Sequence, residues 1–308
     1  MDRITVVGAG HVGATAAMRI AEGELAREVV LVDIKEGLPQ GVALDQWESA
    51  PVRGFDSRLT GTQDYADTAG SGIVVVTAGF PRKPGMSRED LVSKNSAVIR
   101  EIASEVRDRS PDAVIIMVTN PLDVMAYVAR EVTGFPRERV VGMAGILDTA
   151  RFRSFISLEL DVSVEDIQAL VLGGHGDSMV PIVSTVSVGG VPLTQLLDGG
   201  RIEALVQRTR KGGGEIVGLL KEGSAYYAPS AAVAQMCEAI VRDKKRILPC
   251  AAWLEGEYGL DGLFMGVPCK LGRGGVEEIL EVELTDRERE ALERSASDVQ
   301  ATMEAVEV

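Results

Sequence analysis

The chain has 308 residues with a net charge of −14 at pH 7, and its 45% hydrophobic content is ordinary for a globular protein with room for two sizeable cores. The acidic balance disfavours binding to nucleic acid or to an anionic membrane surface. No apolar run approaches the ~20 residues that span a bilayer, and no signal peptide precedes the first strand, so we expect a cytoplasmic protein. The cysteines show no short metal-ligand spacing, which predicts neither a disulfide framework nor a metal site.

A glycine-rich turn at residues 8–13 follows a short apolar strand at residues 4–7 and precedes an alanine-rich helix that we expect to reach about Glu24. The first glycine of such a turn permits the tight bend, the second lets the backbone approach a pyrophosphate, and the third packs the helix against the strand. The helix N-terminus presents free N–H groups to the anion. The pattern predicts a dinucleotide-binding loop in which His11 is a structural or passive neighbour of the cofactor. Its cofactor-binding candidates are Gly8, Ala9, Gly10, His11, Val12 and Gly13.

An acidic residue ends the second predicted strand, residues 28–33. Asp33 follows the glycine loop by about 20 positions, the usual spacing for a carboxylate that binds the ribose hydroxyls of a dinucleotide. A carboxylate there repels a 2′-phosphate, so the sequence predicts NAD rather than NADP as cofactor. The alternative is an aspartate in a surface loop without a ligand.

Further apolar segments follow, and several of them are near-continuous runs of β-branched residues, of the kind found in parallel strands buried on both faces. They lie at residues 57–61, 73–77, 113–119 and 140–143. Together with the first two strands they predict an α/β fold whose core is a doubly wound parallel Rossmann sheet of six strands. Ligands of such a sheet bind at the carboxyl ends of its strands, where Thr119 and Asn120 lie. Because Asn120 precedes a proline, its amide can point into the crevice, although a turn-forming Asn-Pro pair is an equal alternative.

Beyond residue 144 the strict alternation of strand and helix weakens, which predicts a second, mixed α+β domain. We expect a dinucleotide-binding domain at 1–144 and a substrate domain at 145–308. Antiparallel strands are predicted near 166–172, 182–188, 245–251 and 263–270, and helices at 201–221, 225–243 and 285–305. The first of these helices contains Gly212-Gly213-Gly214, so we expect it to pack closely against another element or subunit.

His175 is the first candidate for acid/base chemistry near neutral pH. The chain has only two histidines, and His175 lies among glycines after an apolar run, where small neighbours leave the backbone open to a ligand. The alternative is a histidine packed in the core.

Cationic residues follow the fourth predicted strand in a proline- and glycine-containing loop. Arg82, Lys83 and Arg88 lie there beside the predicted nucleotide crevice, and we interpret them as an anion-binding lid, with a solvated basic loop as the commoner alternative. Asp148 and Arg151 are three residues apart and share a helix face. They form either an ordinary helical ion pair or, with His175, a site in which the aspartate orients the imidazole and the arginines bind carboxylates.

Five motifs in this order resemble those of the lactate/malate dehydrogenase superfamily, with the lactate-dehydrogenase-like malate dehydrogenases as the nearest match. They are the glycine loop, the loop at 81–90, Asn120-Pro121, Leu147-Asp148-Thr149-Ala150-Arg151 and Gly173-Gly174-His175-Gly176-Asp177. The resemblance extends over nearly the whole chain, including residues 209–215 and 223–229. It implies an NAD-dependent enzyme that reversibly oxidises L-malate to oxaloacetate.

The resemblance also implies roles for individual residues. His175 would be the proton donor and acceptor, with its ring held and charged by Asp148. Arg151 would bind the C1 carboxylate of the substrate and Arg88 would polarise the C2 carbonyl. Arg82 occupies the specificity position, where arginine accompanies a second substrate carboxylate and glutamine accompanies lactate. The remaining implied contacts are Asn120 with substrate and nicotinamide ribose, and Asn95, Val118, Thr119 and Asn120 with the cofactor.

Other functions remain open from the sequence. A lactate or other 2-hydroxy-acid dehydrogenase is disfavoured chiefly by Arg82, and an NAD-sensing module would be expected to have lost part of the catalytic set. A metal-dependent glycosidase on a related fold would need a cysteine/histidine metal pair that the sequence does not offer. Family habit predicts a homo-oligomer, a tetramer first and a dimer next, acting on a small dicarboxylate substrate.

Overall fold

The structure is a computed structural model that describes residues 1–81 and 88–306, with the backbone alone of Arg88. The α-helices are α1 His11–Glu22, α2 Leu38–Glu48, α3 Ala50–Arg53, α4 Arg88–Arg109, α5 Leu122–Thr133, α6 Gly145–Leu160, α7 Leu193–Leu196, α8 Gly199–Leu220, α9 Tyr227–Val241 and α10 Asp286–Met303. The strands are β1 Arg3–Val7, β2 Glu28–Val32, β3 Arg58–Thr62, β4 Ile73–Val76, β5 Val114–Met117, β6 Val140–Gly142, β7 Ile167–Gln168, β8 Val171–Leu172, β9 Val180–Pro181, β10 Ser187–Val188, β11 Val191–Pro192, β12 Arg246–Glu255, β13 Asp261–Gly272 and β14 Gly275–Ile279. Short 3-10 turns occupy Tyr65–Thr68, Arg137–Arg139, Val164–Asp166, Val183–Thr185 and Glu257–Gly259.

The first six strands form a parallel sheet in the order β3-β2-β1-β4-β5-β6, which confirms the predicted doubly wound fold. Every residue of β4 and β5 is buried, because helices cover both faces of the sheet and the β-branched side chains pack on each side. The strand order reverses between β1 and β4. Ligands bind at such a switch point, outside the carboxyl ends of the strands.

The sheet does not stop at the predicted domain boundary. Strand β12 pairs antiparallel with β6 through Ala251 and Gly142, and β13 and β14 follow, so that one nine-stranded sheet runs through both halves of the chain. Gly142 allows this junction, since a Cβ there would lie 2.8 Å from the Cβ of Ala251. The long antiparallel strands of the second half thus extend the nucleotide-binding sheet.

A second apolar cluster joins α6 to α8 and includes residues of the short strands β7, β8 and β10. Phe152 and Ile156 of α6 are fully buried in this cluster against Leu205 and Val206 of α8. The prediction of a single strand at 182–188 is wrong, because the turn Val183–Thr185 lies here between two short strands, β9 and β10. Among the helices of the described ranges, none combines the length and apolarity needed to cross a membrane.

Candidate active site

A cleft of about 1250 Å³ opens where β4 and β5 end, and α6, α8 and α9 close its other side. Residues from both halves of the chain line it. They include Val12, Thr77, Gly79, Val118, Thr119, Asn120, Arg151, His175, Arg210, Lys211 and Ser224. The cleft therefore brings the end of the glycine loop close to the predicted acid/base residue and one of the predicted carboxylate-binding arginines.

His175 and Asp148 are hydrogen-bonded at the wall of this cleft. The Nδ1 atom of His175 lies 2.8 Å from Oδ2 of Asp148, whose side chain is only 2% exposed. The imidazole itself is 16% exposed and lines the cleft. A carboxylate can only accept a hydrogen bond, so the proton of this pair lies on Nδ1 and leaves Nε2 for exchange with a ligand.

Three elements hold the backbone of the histidine loop. Gly173 exchanges backbone hydrogen bonds with Gly266 of β13, and the N–H of Gly174 donates to Oγ of Ser295 on α10 at 2.9 Å. The N–H of His175 donates to Oδ2 of Asp123 on α5, also at 2.9 Å. Gly173 has a φ of +91°, a conformation that favours glycine. The imidazole is therefore fixed from its backbone as well as from its ring.

Two carboxylates act on the protonation of His175. Burial acts to lower the pKa of its imidazole, but the charge and hydrogen bond of Asp148 and the charge of Asp123 outweigh burial and the charge of Arg151, so the pKa lies above its ordinary 6.5. Burial raises the pKa of Asp123 to about 6, against the hydrogen bond from the N–H of His175. Both carboxylates favour the protonated imidazole near neutral pH.

Arg151 extends from α6 to the same cleft. Its Nη1 atom lies 3.1 Å from Oδ1 of Asp148. The two residues therefore form the expected ion pair within the helix, and this pair lies in the wall of the cleft with His175. Gly212 of α8 makes room for its side chain, because a Cβ there would lie 3.2 Å from Cδ of Arg151, which is tighter than side chains normally pack. A Cβ on Gly213 would make only an ordinary contact with Nη2, at 3.6 Å. The close packing expected for this glycine-containing helix is thus packing against Arg151.

The glycine loop has the shape that a dinucleotide requires. Gly8 has a φ of +103°, and a Cβ on Gly13 would lie 1.8 Å from the Gly8 carbonyl oxygen, so both positions demand glycine. At Gly10 no described atom lies within 4 Å of the Cβ position, which leaves space in front of the N-terminus of α1. Oδ2 of Asp33 accepts a hydrogen bond from the N–H of Ala9 at 2.7 Å, which places the carboxylate beside the loop. These residues fit a dinucleotide.

The other predicted cofactor residues lie on the opposite wall of the cleft or beneath it. Val118, Thr119 and Asn120 line the cleft, and the Asn120–Pro121 peptide bond is cis. Asn95 is 1% exposed and lies beneath the wall, where its Nδ2 donates to the Asn120 carbonyl oxygen at 2.6 Å. His11 is exposed, and its ring stacks on Tyr226 at a centroid distance of 5.0 Å.

The predicted anion-binding lid, namely Arg82, Lys83 and the side chain of Arg88, lies outside the described residues. Arg88 itself is the first residue of α4. Sequence reasoning also missed one member of the site, Asp123. A signal was present, since an aspartate stands in the first turn of an otherwise apolar helical segment, with buried residues on both sides of it.

Comparison with known proteins agrees with this geometry. Residues 2–142 match the NAD binding domain of lactate/malate dehydrogenase, and residues 146–308 match the α/β C-terminal domain of the same family. A malate dehydrogenase of Chloroherpeton thalassium is 60% identical over 304 residues, which are 99% of this chain and 98% of that protein.

Solved structures of dehydrogenases are also similar to this chain. A malate dehydrogenase from Salinibacter ruber has 55% identity and a TM-score of 0.95, covering 98% of this chain and 97% of that one. A lactate dehydrogenase from Cryptosporidium parvum, complexed with lactic acid and nicotinamide adenine dinucleotide, has 43% identity and a TM-score of 0.95 over 98% of this chain and 97% of its own.

The sheet, the glycine loop and the His175–Asp148 pair define an NAD-dependent dehydrogenase. Since the family models cover nearly every residue, the chain belongs to the lactate/malate dehydrogenase family. Its N-terminal half is accordingly an NAD-binding domain.

Proposed function

We propose that the chain catalyses the reversible, NAD-dependent oxidation of L-malate to oxaloacetate, with His175 as general acid/base. The observation that carries this proposal is the His175–Asp148 pair, hydrogen-bonded at 2.8 Å in the wall of a cleft that also contains the end of the glycine loop and Arg151. The names of the similar proteins support the substrate, because relatives near 60% identity are malate dehydrogenases.

The glycine loop and Asp33 would hold the dinucleotide, through the N–H groups at the start of α1 and the carboxylate beside Ala9. When bound, NAD supplies the acceptor for the hydride that leaves C2 of the hydroxy acid and returns it in the reverse direction. The repulsion between Asp33 and a 2′-phosphate supports NAD over NADP.

His175 moves the proton. In oxidation its neutral Nε2 takes the proton of the C2 hydroxyl group, and in reduction the protonated imidazole gives a proton to the C2 carbonyl oxygen. Asp148 holds the ring through Nδ1 and stabilises the imidazolium, and the raised pKa of His175 keeps the proton available near neutral pH.

The arginines would bind the diacid. The guanidinium of Arg151, 14% exposed at the cleft, can bind the C1 carboxylate through two parallel hydrogen bonds. On the sequence alone we assign polarisation of the C2 carbonyl to Arg88 and the second carboxylate to Arg82. Asn120, at the cleft end of β5, completes the wall on the nicotinamide side.

The direct test is NADH oxidation with oxaloacetate and with pyruvate in parallel, repeated with NADPH. We expect kcat/KM to be far higher for oxaloacetate and for NADH, and we expect His175→Asn to abolish turnover while NADH still binds. A preference for pyruvate would instead assign a lactate dehydrogenase. NADH binding without turnover of either acid would assign an NAD sensor, which the intact His175–Asp148 pair disfavours.

We further propose a cytoplasmic homo-oligomer, a tetramer in preference to a dimer. Large apolar side chains are exposed on α2 and α3 and at the end of α8, as expected of surfaces that meet another subunit. They are Leu44, Trp47, Val52, Val217, Leu219 and Leu220. The cytoplasm is supported by Cys237, Cys250 and Cys269, which are buried free thiols. Light scattering after size exclusion tests the assembly, and a monomeric mass would refute it.

A further inference from the structure

Asp123 is a buried carboxylate that the proposed function does not use. It lies in the first turn of α5 and is 5% exposed, yet its Oδ1 atom has no hydrogen-bond partner within residues 1–81 and 88–306. Its Oδ2 atom accepts one hydrogen bond, from the N–H of His175. A buried carboxylate with one unsatisfied oxygen is costly, so its place directly behind the imidazole calls for an explanation.

Within the described residues, the hydrogen bond that Asp123 accepts comes from the backbone of the proposed acid/base residue. Its neighbour Gly174 is held by Ser295, whose Oγ atom accepts from the Gly174 N–H. Asp123 and Ser295 thus hold consecutive peptide groups of one loop, but the first carries a charge and the second does not. A positional role could be served by either group, whereas an electrostatic role requires the carboxylate.

Among the described residues, the charges that act on the pKa of His175 come from three residues on two helices. Asp148 and Arg151 lie on α6, and Asp123 lies on α5. Because Asp148 also pairs with Arg151, part of its negative charge is balanced, while the charge of Asp123 has no cationic partner except the imidazole among the residues described. Above about pH 6 Asp123 is ionised, since its pKa lies at about 6.

We propose that Asp123 is a second positioning residue for His175, which holds the backbone N–H of the histidine and whose negative charge stabilises the protonated imidazole. The charge of Asp123 then keeps His175 protonated, and the enzyme ready for reduction, at a higher pH than the Asp148 pair alone would allow. This inference rests on the proposed function for its kinetic consequence only.

The test compares Asp123→Asn with Ser295→Ala. The first variant keeps an oxygen for the N–H of His175 and removes the charge, and the second loosens the adjacent peptide group without a change in charge. A neighbouring charge shifts a pKa by about one unit or more, so for D123N we expect the midpoint of the pH profile of kcat/KM for oxaloacetate to fall by about one pH unit. On the alkaline side kcat/KM then falls about tenfold. For S295A we expect an unmoved midpoint.

A second readout does not depend on turnover. Diethyl pyrocarbonate reacts with an imidazole only when the ring is neutral, and because the chain has two histidines, peptide mass spectrometry follows His175 and His11 separately. We expect the midpoint of modification of His175 to move down by about one pH unit in D123N, with that of His11 unchanged. If D123N proves insoluble, Asp123→Ser removes the charge in a smaller volume and serves the same comparison.

Two results would overturn the inference. One is a wild-type midpoint for D123N in both measurements. The other is an equal loss of activity for D123N and S295A at every pH, which would assign Asp123 a purely structural role. Failure of the wild-type protein to reduce oxaloacetate would refute the proposed function instead, and the modification experiment would still report on the coupling of Asp123 to His175.

Discussion

Asp148 divides its carboxylate between two partners, with Oδ2 at 2.8 Å from Nδ1 of His175 and Oδ1 at 3.1 Å from Nη1 of Arg151. One side chain, 2% exposed, therefore holds both the proposed acid/base group and a group suited to bind a substrate carboxylate. The i to i+3 spacing of Asp148 and Arg151 on α6 sets their separation, whereas His175 reaches them from a loop 27 residues further along.

Asp148→Asn should lower kcat by at least about a hundredfold, because an amide can present its N–H to Nδ1 and leave the ring in the wrong tautomer, without the charge that stabilises imidazolium. Steady-state NADH oxidation with oxaloacetate measures this. Asp112→Asn, the same change at a fully exposed position, is the control and should resemble the wild type. Equal activities for the two variants would exclude a role for Asp148.

The two directions should have opposite pH profiles. Reduction needs the protonated imidazole and oxidation needs the neutral one, so kcat/KM for oxaloacetate should fall, and that for malate should rise, through one common midpoint. Because the pKa of His175 is raised, that midpoint should lie above 6.5. Initial rates in both directions across about pH 5 to pH 9 measure it. A midpoint below 6.5 would contradict the electrostatics of the site.

Gly10→Ala and Gly13→Ala should separate binding from folding. At Gly13 the new methyl group would lie 1.8 Å from the Gly8 carbonyl oxygen, so the loop must shift, at a cost of about 1–3 kcal/mol in the free energy of unfolding. At Gly10 the φ of −69° suits alanine and the methyl group meets only the space reserved for the cofactor. Thermal unfolding should distinguish G13A from the wild type, and the KM for NAD should rise in G10A. A destabilised G10A would be inconsistent with this geometry.

Asp33→Asn should weaken the discrimination against NADP. The amide keeps an oxygen for the N–H of Ala9 but removes the charge that repels a 2′-phosphate, so the ratio of kcat/KM for NADH over NADPH should fall by about tenfold, or about 1.4 kcal/mol. Asp45→Asn, on the exposed side of α2, is the matched control. An unchanged ratio in D33N would place the source of specificity elsewhere.

Arg82→Gln should shift the substrate preference from oxaloacetate toward pyruvate. This prediction rests on the sequence, in which Arg82 occupies the position that accompanies a second substrate carboxylate. An unpaired carboxylate in a closed site costs about 3–5 kcal/mol, which the methyl group of pyruvate avoids. The measurement is kcat/KM for both acids with each enzyme, and an unchanged ratio would refute the role of Arg82.

The parallel half of the fold was predictable because a strand that is buried on both faces has a continuous apolar sequence, as Ile73–Val76 does. The pairing of Gly142 with Ala251 was not, since an apolar run does not specify which strand lies beside it. The short elements between 180 and 188 were misread for the same reason, because their conformation depends on contacts with α6 and α8 and carries little periodicity of its own.

Within the site, the residues that the sequence singled out and the structure brings to one cleft are those that belong to a local sequence motif. Local spacing or neighbouring glycines identify each of these groups in the sequence. They are the glycine loop, the pair of Asp148 and Arg151, and His175. Asp123 has no such motif, because it acts on a backbone N–H that is 52 residues away and its own neighbours are apolar. Its only trace in the sequence is an acidic residue in the first turn of a largely apolar helix, and an acidic residue there is common because it interacts favourably with the helix dipole.

Because one sheet runs without a break from β3 to β14, the two halves of the chain are not independent modules. If residues 1–144 were expressed alone, β6 would be an exposed edge strand with unpaired N–H and C=O groups, and such an edge promotes aggregation. A rotation of one half against the other would break the pairing between β6 and β12 at Gly142. The distance between the glycine loop and His175 is therefore set by the hydrogen-bond register of a continuous β-structure, and not by a hinge.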